Sequence, residues 1–340
     1  MTESDVARAG ALAAWLRTVT GADDVRVARF ERLRGGAIQD NYLLDVDVGG
    51  GAWRGAHSWV LRTNARSRVD ASESRASEYE VLRIAYAAGV RAPKPLFLCT
   101  DPAVLGSEFF VMARLSGVAA GHRITRDAAL VPDPPALAYE LGANLARIHA
   151  IHPPPKWCST NGTGRSGNPA LEAIATCRAW LDRLDGAYPI LEWGLRWCER
   201  HAPSTYEVTF VHRDYRTGNY LVDGGKLAGV LDWEFAGWGD PREDLGWFTA
   251  RCWRFAGRDL EAGGIAPLEP FVAGYASVAG HGISRDDLDY WQTIAHLRWS
   301  IIALQQAQRH RKERSLELAL TGRIVDELEY EVLQLTQRRK

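Results

Sequence analysis

The sequence predicts an α+β chain in two parts: a small lobe built on an antiparallel β-sheet, then a larger, mainly helical lobe. Three observations predict this. Strand-like runs crowd the first third of the chain, with little helix among them. Long stretches of helical periodicity fill the remainder. One short β insertion, around residues 208–233, interrupts those helices. Period 2 against period 3.6 in the apolar residues separates the two classes.

Residues 4–19 read as an amphipathic helix with Val6, Ala9, Leu12, Ala13 and Leu16 on one broad face. Val25–Leu33, Asn41–Val48 and Ser58–Arg62 follow as strands, separated by Gly35-Gly36 and by Gly49-Gly50-Gly51. Residues 72–88 have helical spacing, and Gly89 stands where a helix C-terminus is capped. Pro93 and Pro95 force an extended path into two more strands, Leu96–Cys99 and Glu108–Leu115, joined by a turn at Asp101-Pro102. No repeat and no parallel β-α-β alternation appears. After Gly117 the helices begin: Ala136–Ile151, then 171–183, 189–201, 268–279, 287–310 and 314–337. Asn161–Asn168, rich in Gly, Ser and Asn, reads as a loop. The boundary is placed near Leu115–Gly117, giving lobes of residues 1–115 and 116–340.

At 340 residues and 46% hydrophobic composition the chain can bury a large core, and its length suits two lobes. The 13 Trp are assigned mainly to that core, with aromatic walls around a site as the other reading. A formal net charge of -1 gives no argument for nucleic acid or an anionic membrane surface as partner. Five scattered cysteines without a C-x-x-C pair fit neither a disulfide framework nor a zinc site, so reduced thiols in a cytoplasmic protein are expected. The N-terminus lacks the pattern of a signal peptide, and no run of 18 apolar residues suggests a membrane span.

Chemistry concentrates in one segment. His212-Arg213-Asp214-Tyr215-Arg216-Thr217-Gly218-Asn219 follows a β-like approach, Val208–Val211. Two apolar runs come next, Asn219–Asp223 and Lys226–Trp233, with Gly224-Gly225 between them as a hairpin turn. If Asp223 faces Lys226, Asn219 and Asp232 share the open end of that hairpin, which Asp214 enters from the preceding loop. Two carboxylates and an amide converging there suit phosphoryl transfer. One Asp accepts the proton of an attacking hydroxyl, while the other Asp and the Asn bind Mg²⁺ on the nucleotide phosphates. The octapeptide has the form H-R-D-x-x-x-x-N of kinase catalytic loops. A plain turn, with Asp214 capping a helix, is the competing reading, and the hairpin with Asp232 weighs against it.

With these residues the chain resembles the aminoglycoside phosphotransferase family, a branch of the protein-kinase-like fold. Asp232-Trp233-Glu234 stands where that family carries its metal-binding Asp, and Gly239-Asp240-Pro241-Arg242-Glu243-Asp244-Leu245-Gly246 resembles the segment after it. The resemblance is closest to kinase-like domains fused to some acyl-CoA dehydrogenases. It is carried there by Leu33-Arg34-Gly35-Gly36-Ala37-Ile38, Trp59-Val60-Leu61-Arg62, Ser77-Glu78-Tyr79-Glu80-Val81-Leu82, Asp101-Pro102-Ala103-Val104-Leu105-Gly106 and Phe110-Val111-Met112.

The resemblance implies a protein-kinase-like two-lobe fold and an ATP- and Mg²⁺-dependent transfer to a hydroxyl of a small molecule. It places Gly35 and Gly36 over the phosphates and Arg62 where most kinases carry a strand Lys. Arg holds phosphate oxygens through a planar fork, a different geometry. Of the two helix acids, Glu78 shares a face with Val81, Leu82 and Ala85 and therefore points inward, so it is paired with Arg62. A surface role for either residue stays open. The adenine edge is expected on the backbone of Ala113 and Leu115, with Met112 packing nearby. His212 is read as a loop support, not a base; Asp244 as a brace of the same loop or a helix cap; Arg213 and Arg216 as substrate contacts or solvated residues.

Asp232-Trp233-Glu234 replaces D-F-G, and Gly239-Asp240-Pro241 follows too soon for an activation loop ending in A-P-E, which argues against a protein kinase. Residues 291–314 are basic and Trp-bearing, with Glu313 the one acid. As a substrate wall that stretch suits an anionic or hydroxyacyl acceptor better than a polycationic aminoglycoside; as a core helix with a basic solvated face it says nothing of substrate. An antibiotic kinase and a non-catalytic nucleotide-binding pseudokinase remain the alternatives. A monomer or a homodimer is expected.

Overall fold

The computed structural model describes residues 3–33, 39–64, 74–152, 167–314 and 316–337. The chain divides into two compact units. The first comprises Met1–Gly117 and Ala228–Phe235, the second Val118–Leu227 and Ala236–Lys340. Division at a single point in the sequence would leave Ala228–Phe235 out of the first unit.

The first unit runs α1 (Glu3–Thr20), β1 (Asp24–Arg32), β2 (Gln39–Gly49), β3 (Gly55–Asn64), α2 (Arg75–Ala87), β4 (Pro95–Cys99), α3 (Pro102–Leu105) and β5 (Phe109–Ala113). Its sheet has the order β1-β2-β3-β5-β4, antiparallel throughout. Alternation in β2 decides its faces: Leu44, Val46 and Val48 are buried on one side. They meet Leu12 and Leu16 of α1 and Trp59, Leu61, Phe109 and Val111 of β3 and β5. Asp101-Pro102, read as a turn, starts the single-turn α3, because the Asp101 carboxylate accepts the Ala103 N–H and Pro102 presets the first helical φ. Ser74 caps α2 by accepting the Ser77 N–H.

The chain continues with α4 (Gly121–Ile124), α5 (Pro134–His149), α6 (Pro169–Leu181), α7 (Pro189–Arg200), β6 (Thr209–Val211), β7 (Tyr220–Asp223), β8 (Lys226–Val230), β9 (Gly237–Gly239), α8 (Pro241–Thr249), α9 (Leu268–Ala279), α10 (Arg285–Glu313), α11 (Leu316–Gly322) and α12 (Val325–Gln337), all in the second unit except the part of β8 from Ala228 onward. β7 and β8 form the expected Gly-Gly hairpin, with Gly224 and Gly225 both at positive φ. The helix expected over 314–337 is two helices, broken at Arg323-Ile324. α8 and β9 were not anticipated. β9 is three residues, two of them Gly, and exists by pairing with β6.

α5 and α9 pack at very close range. A methyl group on Gly142 would lie 2.0 Å from the Phe271 carbonyl oxygen, and one on Gly274 would lie 2.0 Å from that of Tyr139. Each helix therefore presents a glycine to the other's backbone. The described cysteines, Cys99, Cys177, Cys198 and Cys252, are free thiols. No helix among the described residues is long and apolar enough to cross a membrane.

Candidate active site

In the second unit the loop 212–219 leaves β6 and enters β7. Its start is anchored by Asp244, fully buried on α8. The Asp244 carboxylate accepts the backbone N–H of His212 and of Arg213, both at 2.6 Å. Nε2 of the His149 ring, from α5, lies 3.2 Å from Oδ2 of the same carboxylate, and Nδ1 lies 2.9 Å from the Tyr275 hydroxyl of α9. Burial alone would raise the pKa of Asp244. Its bond to His149, the charges of His149 and His212 and the His212 N–H outweigh burial and hold the carboxyl below its ordinary value. α8 is positioned by its own cap, Asp240, which accepts the Arg242 N–H ahead of Pro241.

This clamp holds Arg213 at φ +62°, a left-handed conformation costing a non-glycine residue about 1–2 kcal/mol. His212 is buried and its Nδ1 accepts the Asp214 N–H at 3.2 Å, which fits loop support. Arg213 is structural: its guanidinium donates to the Trp238 carbonyl at 2.7 Å, and its own carbonyl accepts from Arg298 at 2.9 Å.

Asp214 and Asn219 are brought together. Asn219 Nδ2 donates to the Asp214 backbone oxygen at 3.0 Å and to its Oδ2. Oδ1 of Asp214 accepts from Arg216 Nε at 3.0 Å and from Trp247 Nε1 at 2.9 Å. Arg216 lies over the Trp253 ring, 4.5 Å from its centroid, and Arg298 over Trp247 at 4.6 Å.

In the first unit Arg62 on β3 is buried, 4% exposed. Its Nε stands 2.8 Å from Glu78 Oε1 and its Nη1 2.9 Å from Asp232 Oδ1. The Nε–H is not aimed at the Glu78 oxygen well enough for a directed hydrogen bond, so that approach is a charge contact. Burial opposes the charge of Arg62, yet Glu78, Asp232 and Glu234 outweigh it and hold its pKa above the ordinary guanidinium value. Glu78 also pairs with Arg75, one turn earlier on α2 and fully buried. For Arg75 burial wins over Glu78, and its pKa falls. Asp232 sits at φ +58°, again left-handed. The expected Arg62–Glu78 pair is thus present, and the surface reading of both residues is not.

Ala113, the last residue of β5, donates its N–H to the Lys94 carbonyl at 2.8 Å. Met112 and Leu115 are half-buried, and Leu115 lies over Gly229, where a methyl group would strike its Cδ1 at 2.4 Å. Gly35 and Gly36 lie outside the described residues.

The profile of the phosphotransferase enzyme family, APH, matches residues 29–281, about three-quarters of the chain. The chain belongs to this family. Its curated relatives include acyl-CoA dehydrogenase family member 11 of Gallus gallus, 28% identical over 207 residues covering 58% of this chain and 25% of the relative. The Rattus norvegicus protein of that name is 24% identical over 336 residues, covering 94% of this chain and 41% of the relative. The chain therefore spans about a quarter to two-fifths of these relatives' length. Among solved structures, a Ralstonia eutropha protein provisionally described as an aminoglycoside phosphotransferase superposes with TM-score 0.75 at 21% identity, over 97% of this chain and 98% of that one. Aminoglycoside phosphotransferase APH(4)-Ia, in a ternary complex with AMP-PNP and hygromycin B, superposes with TM-score 0.62 at 16% identity, over 96% and 98%. The family member described here therefore has the kinase-like fold of these phosphotransferases.

Several site residues escape sequence reasoning. Arg75 escapes because arginine is seldom buried; its signal is the i,i+3 spacing to Glu78. Trp247 and His149 meet their partners only through the tertiary fold. In the basic, aromatic stretch 291–314, three residues have structural places. Trp291 and His296 are buried, and Arg298 braces Arg213.

Proposed function

We propose that the chain is an ATP- and Mg²⁺-dependent phosphotransferase that delivers the γ-phosphoryl group to a hydroxyl of a small molecule, a hydroxyacyl compound being the acceptor class. The observation that carries this reading is the Asp214 carboxylate, immobilised by Asn219, Arg216 and Trp247 on a loop whose backbone is fixed by Asp244. A held carboxylate of that kind serves as the base that accepts the proton of an attacking hydroxyl.

The donor chemistry fits a nucleotide with Mg²⁺. Asn219 commits its Nδ2 to Asp214, which leaves the amide Oδ1 for a metal; Asp232 supplies carboxylate oxygens. Such hard oxygen donors suit Mg²⁺, which completes its shell with phosphate and water and needs no all-protein cage. Arg62 Nη2 is buried without a hydrogen-bond partner among the described residues, and a phosphate oxygen would satisfy it. When bound, Mg²⁺ would neutralise charge on the phosphates. Glu78 holds Arg62 in place, and the carbonyl of Ala113 with the N–H of Leu115 is assigned to the adenine edge.

The acceptor class is supported by the relatives' name and by charge. Side chains touching Asp214 are Arg216, Asn219 and Trp247, none of them acidic. A polycation would want the opposite. The test is ADP release with a panel of hydroxy acids and hydroxyacyl thioesters beside hygromycin B and spectinomycin, preceded by thermal shift with MgATP. Stabilisation by MgATP with turnover on a hydroxyacyl compound is expected. Stabilisation without transfer to any acceptor, unchanged in Asp214→Asn, would instead mark a nucleotide-binding protein without catalysis.

A further inference from the structure

We infer that Trp247 is a positioning residue for Asp214, and that it makes Oδ2 the oxygen that receives the acceptor's proton. This rests on the reading of Asp214 as the base. An ionised carboxylate offers about two lone-pair positions on each oxygen. Among the described residues, Oδ1 accepts two donors, Arg216 Nε and Trp247 Nε1, and is filled. Oδ2 accepts one, Asn219 Nδ2, and keeps a position open. The two oxygens of Asp214 are therefore not equivalent, and the indole N–H is one of the two bonds that make them so.

The indole is built to stay in place. Trp247 is 3% exposed and sits on α8 three residues after Asp244, so the two side chains share a face of that helix. One helix thereby grips the loop twice, through its backbone with Asp244 and through the Asp214 carboxylate with Trp247. The ring is covered by Arg298 at 4.6 Å and packs on Trp253 with centroids 5.2 Å apart; Trp253 in turn packs on Trp299 at 4.7 Å. Arg216, the second donor to Oδ1, rests on the same Trp253. Both donors are thus backed by one aromatic cluster, and rotation of the carboxylate about its Cβ–Cγ bond would break both bonds at once.

In the reaction the acceptor O–H bond breaks, its proton passes to Oδ2, and the acceptor oxygen bonds to the γ-phosphorus. The bond from that phosphorus to the bridging oxygen of ATP breaks, and ADP leaves with the electron pair.

The test uses the full chain with MgATP, following ADP release with water and with the hydroxyacyl panel as acceptors. Trp247→Phe keeps an aromatic ring and removes the N–H. It is expected to lower kcat about 10- to 100-fold, the size of a misplaced catalytic group, with the KM for ATP within twofold of the parent. Because the loss acts through Asp214, Trp247→Phe made in an Asp214→Asn background should cost nothing further. An unaltered kcat in Trp247→Phe beside an inactive Asp214→Asn would overturn this inference alone, as would losses that simply multiply in the double variant. A fully active Asp214→Asn would overturn the base assignment and this inference together. Should Trp247→Phe not fold, ¹⁵N–¹H spectra of the tryptophan indoles decide. Asp214→Asn should shift one indole resonance upfield, and a spectrum with every indole resonance unmoved sinks the idea.

Discussion

Glu78 is the single carboxylate set between two buried guanidinium groups, Arg62 at 4% and Arg75 at 0% exposure. Glu78→Ala would leave Arg62 with Asp232 and take from Arg75 the carboxylate it meets one turn along α2. Removing one member of a buried ion pair costs about 3–5 kcal/mol, mostly from the charge left behind. Two cations share this loss, so about 4 kcal/mol is expected. For a unit of this size that is a fall in Tm of roughly 15 °C. Glu78→Gln keeps the shape and an acceptor oxygen but loses the charge, and should fall between Ala and the parent. Glu80→Ala is the control: its pair with Arg83 is half exposed on both sides, and exposed pairs contribute about 0–1 kcal/mol. Thermal unfolding followed by circular dichroism, at low and high salt, measures all three. A Glu78→Ala variant within about 1 kcal/mol of Glu80→Ala would refute the burial argument.

Other expectations follow from the same geometry. Asp214→Asn should cut transfer to a small residual rate and keep the MgATP thermal shift, whereas Asp232→Ala should weaken that shift itself, since it removes both the proposed metal ligand and a partner of Arg62. Asp244→Ala removes the carboxylate that accepts the N–H groups of His212 and Arg213 and should cost about 2–4 kcal/mol, with turnover lost, as read by denaturant unfolding and ADP release. Because the Asp244 carboxyl is held below its ordinary 3.8, its contribution is present above that pH and is lost as pH falls beneath it. His296 is buried, and its pKa is pushed down from 6.5 to about 4. The unfolded chain binds its proton first, so stability should fall by up to about 3 kcal/mol between pH 6.5 and 4. His296→Leu should flatten that part of the pH profile of Tm, and an unchanged profile would refute the assignment.

Local chemistry made much of this molecule readable in advance. The alternation in β2, the helical spacing of α2 and the Gly-Gly hairpin are set by residues close in sequence, so each of these elements is found with ends off by a few residues. Glu78 could be chosen over Glu80 because a helix sorts its faces by spacing alone. What escaped was decided by distant partners. β9 has no strand propensity of its own and is made by β6. Trp247 gains a role only when Asp214, 33 positions earlier, arrives within 2.9 Å. α8, by contrast, was legible and overlooked: Asp240-Pro241 followed by Glu243 and Asp244 is a helix start. Within residues 291–314, Arg298 looks solvated in sequence and proves to hold the loop.

The paired glycines of α5 and α9 give the catalytic loop a remote mechanical setting. α5 supplies His149 and the carbonyl that takes the Tyr215 hydroxyl; α9 supplies Tyr275, the other partner of His149. The helix spacing is therefore a gauge block for the chain Tyr275–His149–Asp244–loop. A single added methyl at Gly142 or Gly274 meets backbone, which cannot swing aside as a side chain can. It would wedge the two helices apart and feed that displacement through hydrogen bonds to Asp214, without any change in charge or in a residue near the carboxylate.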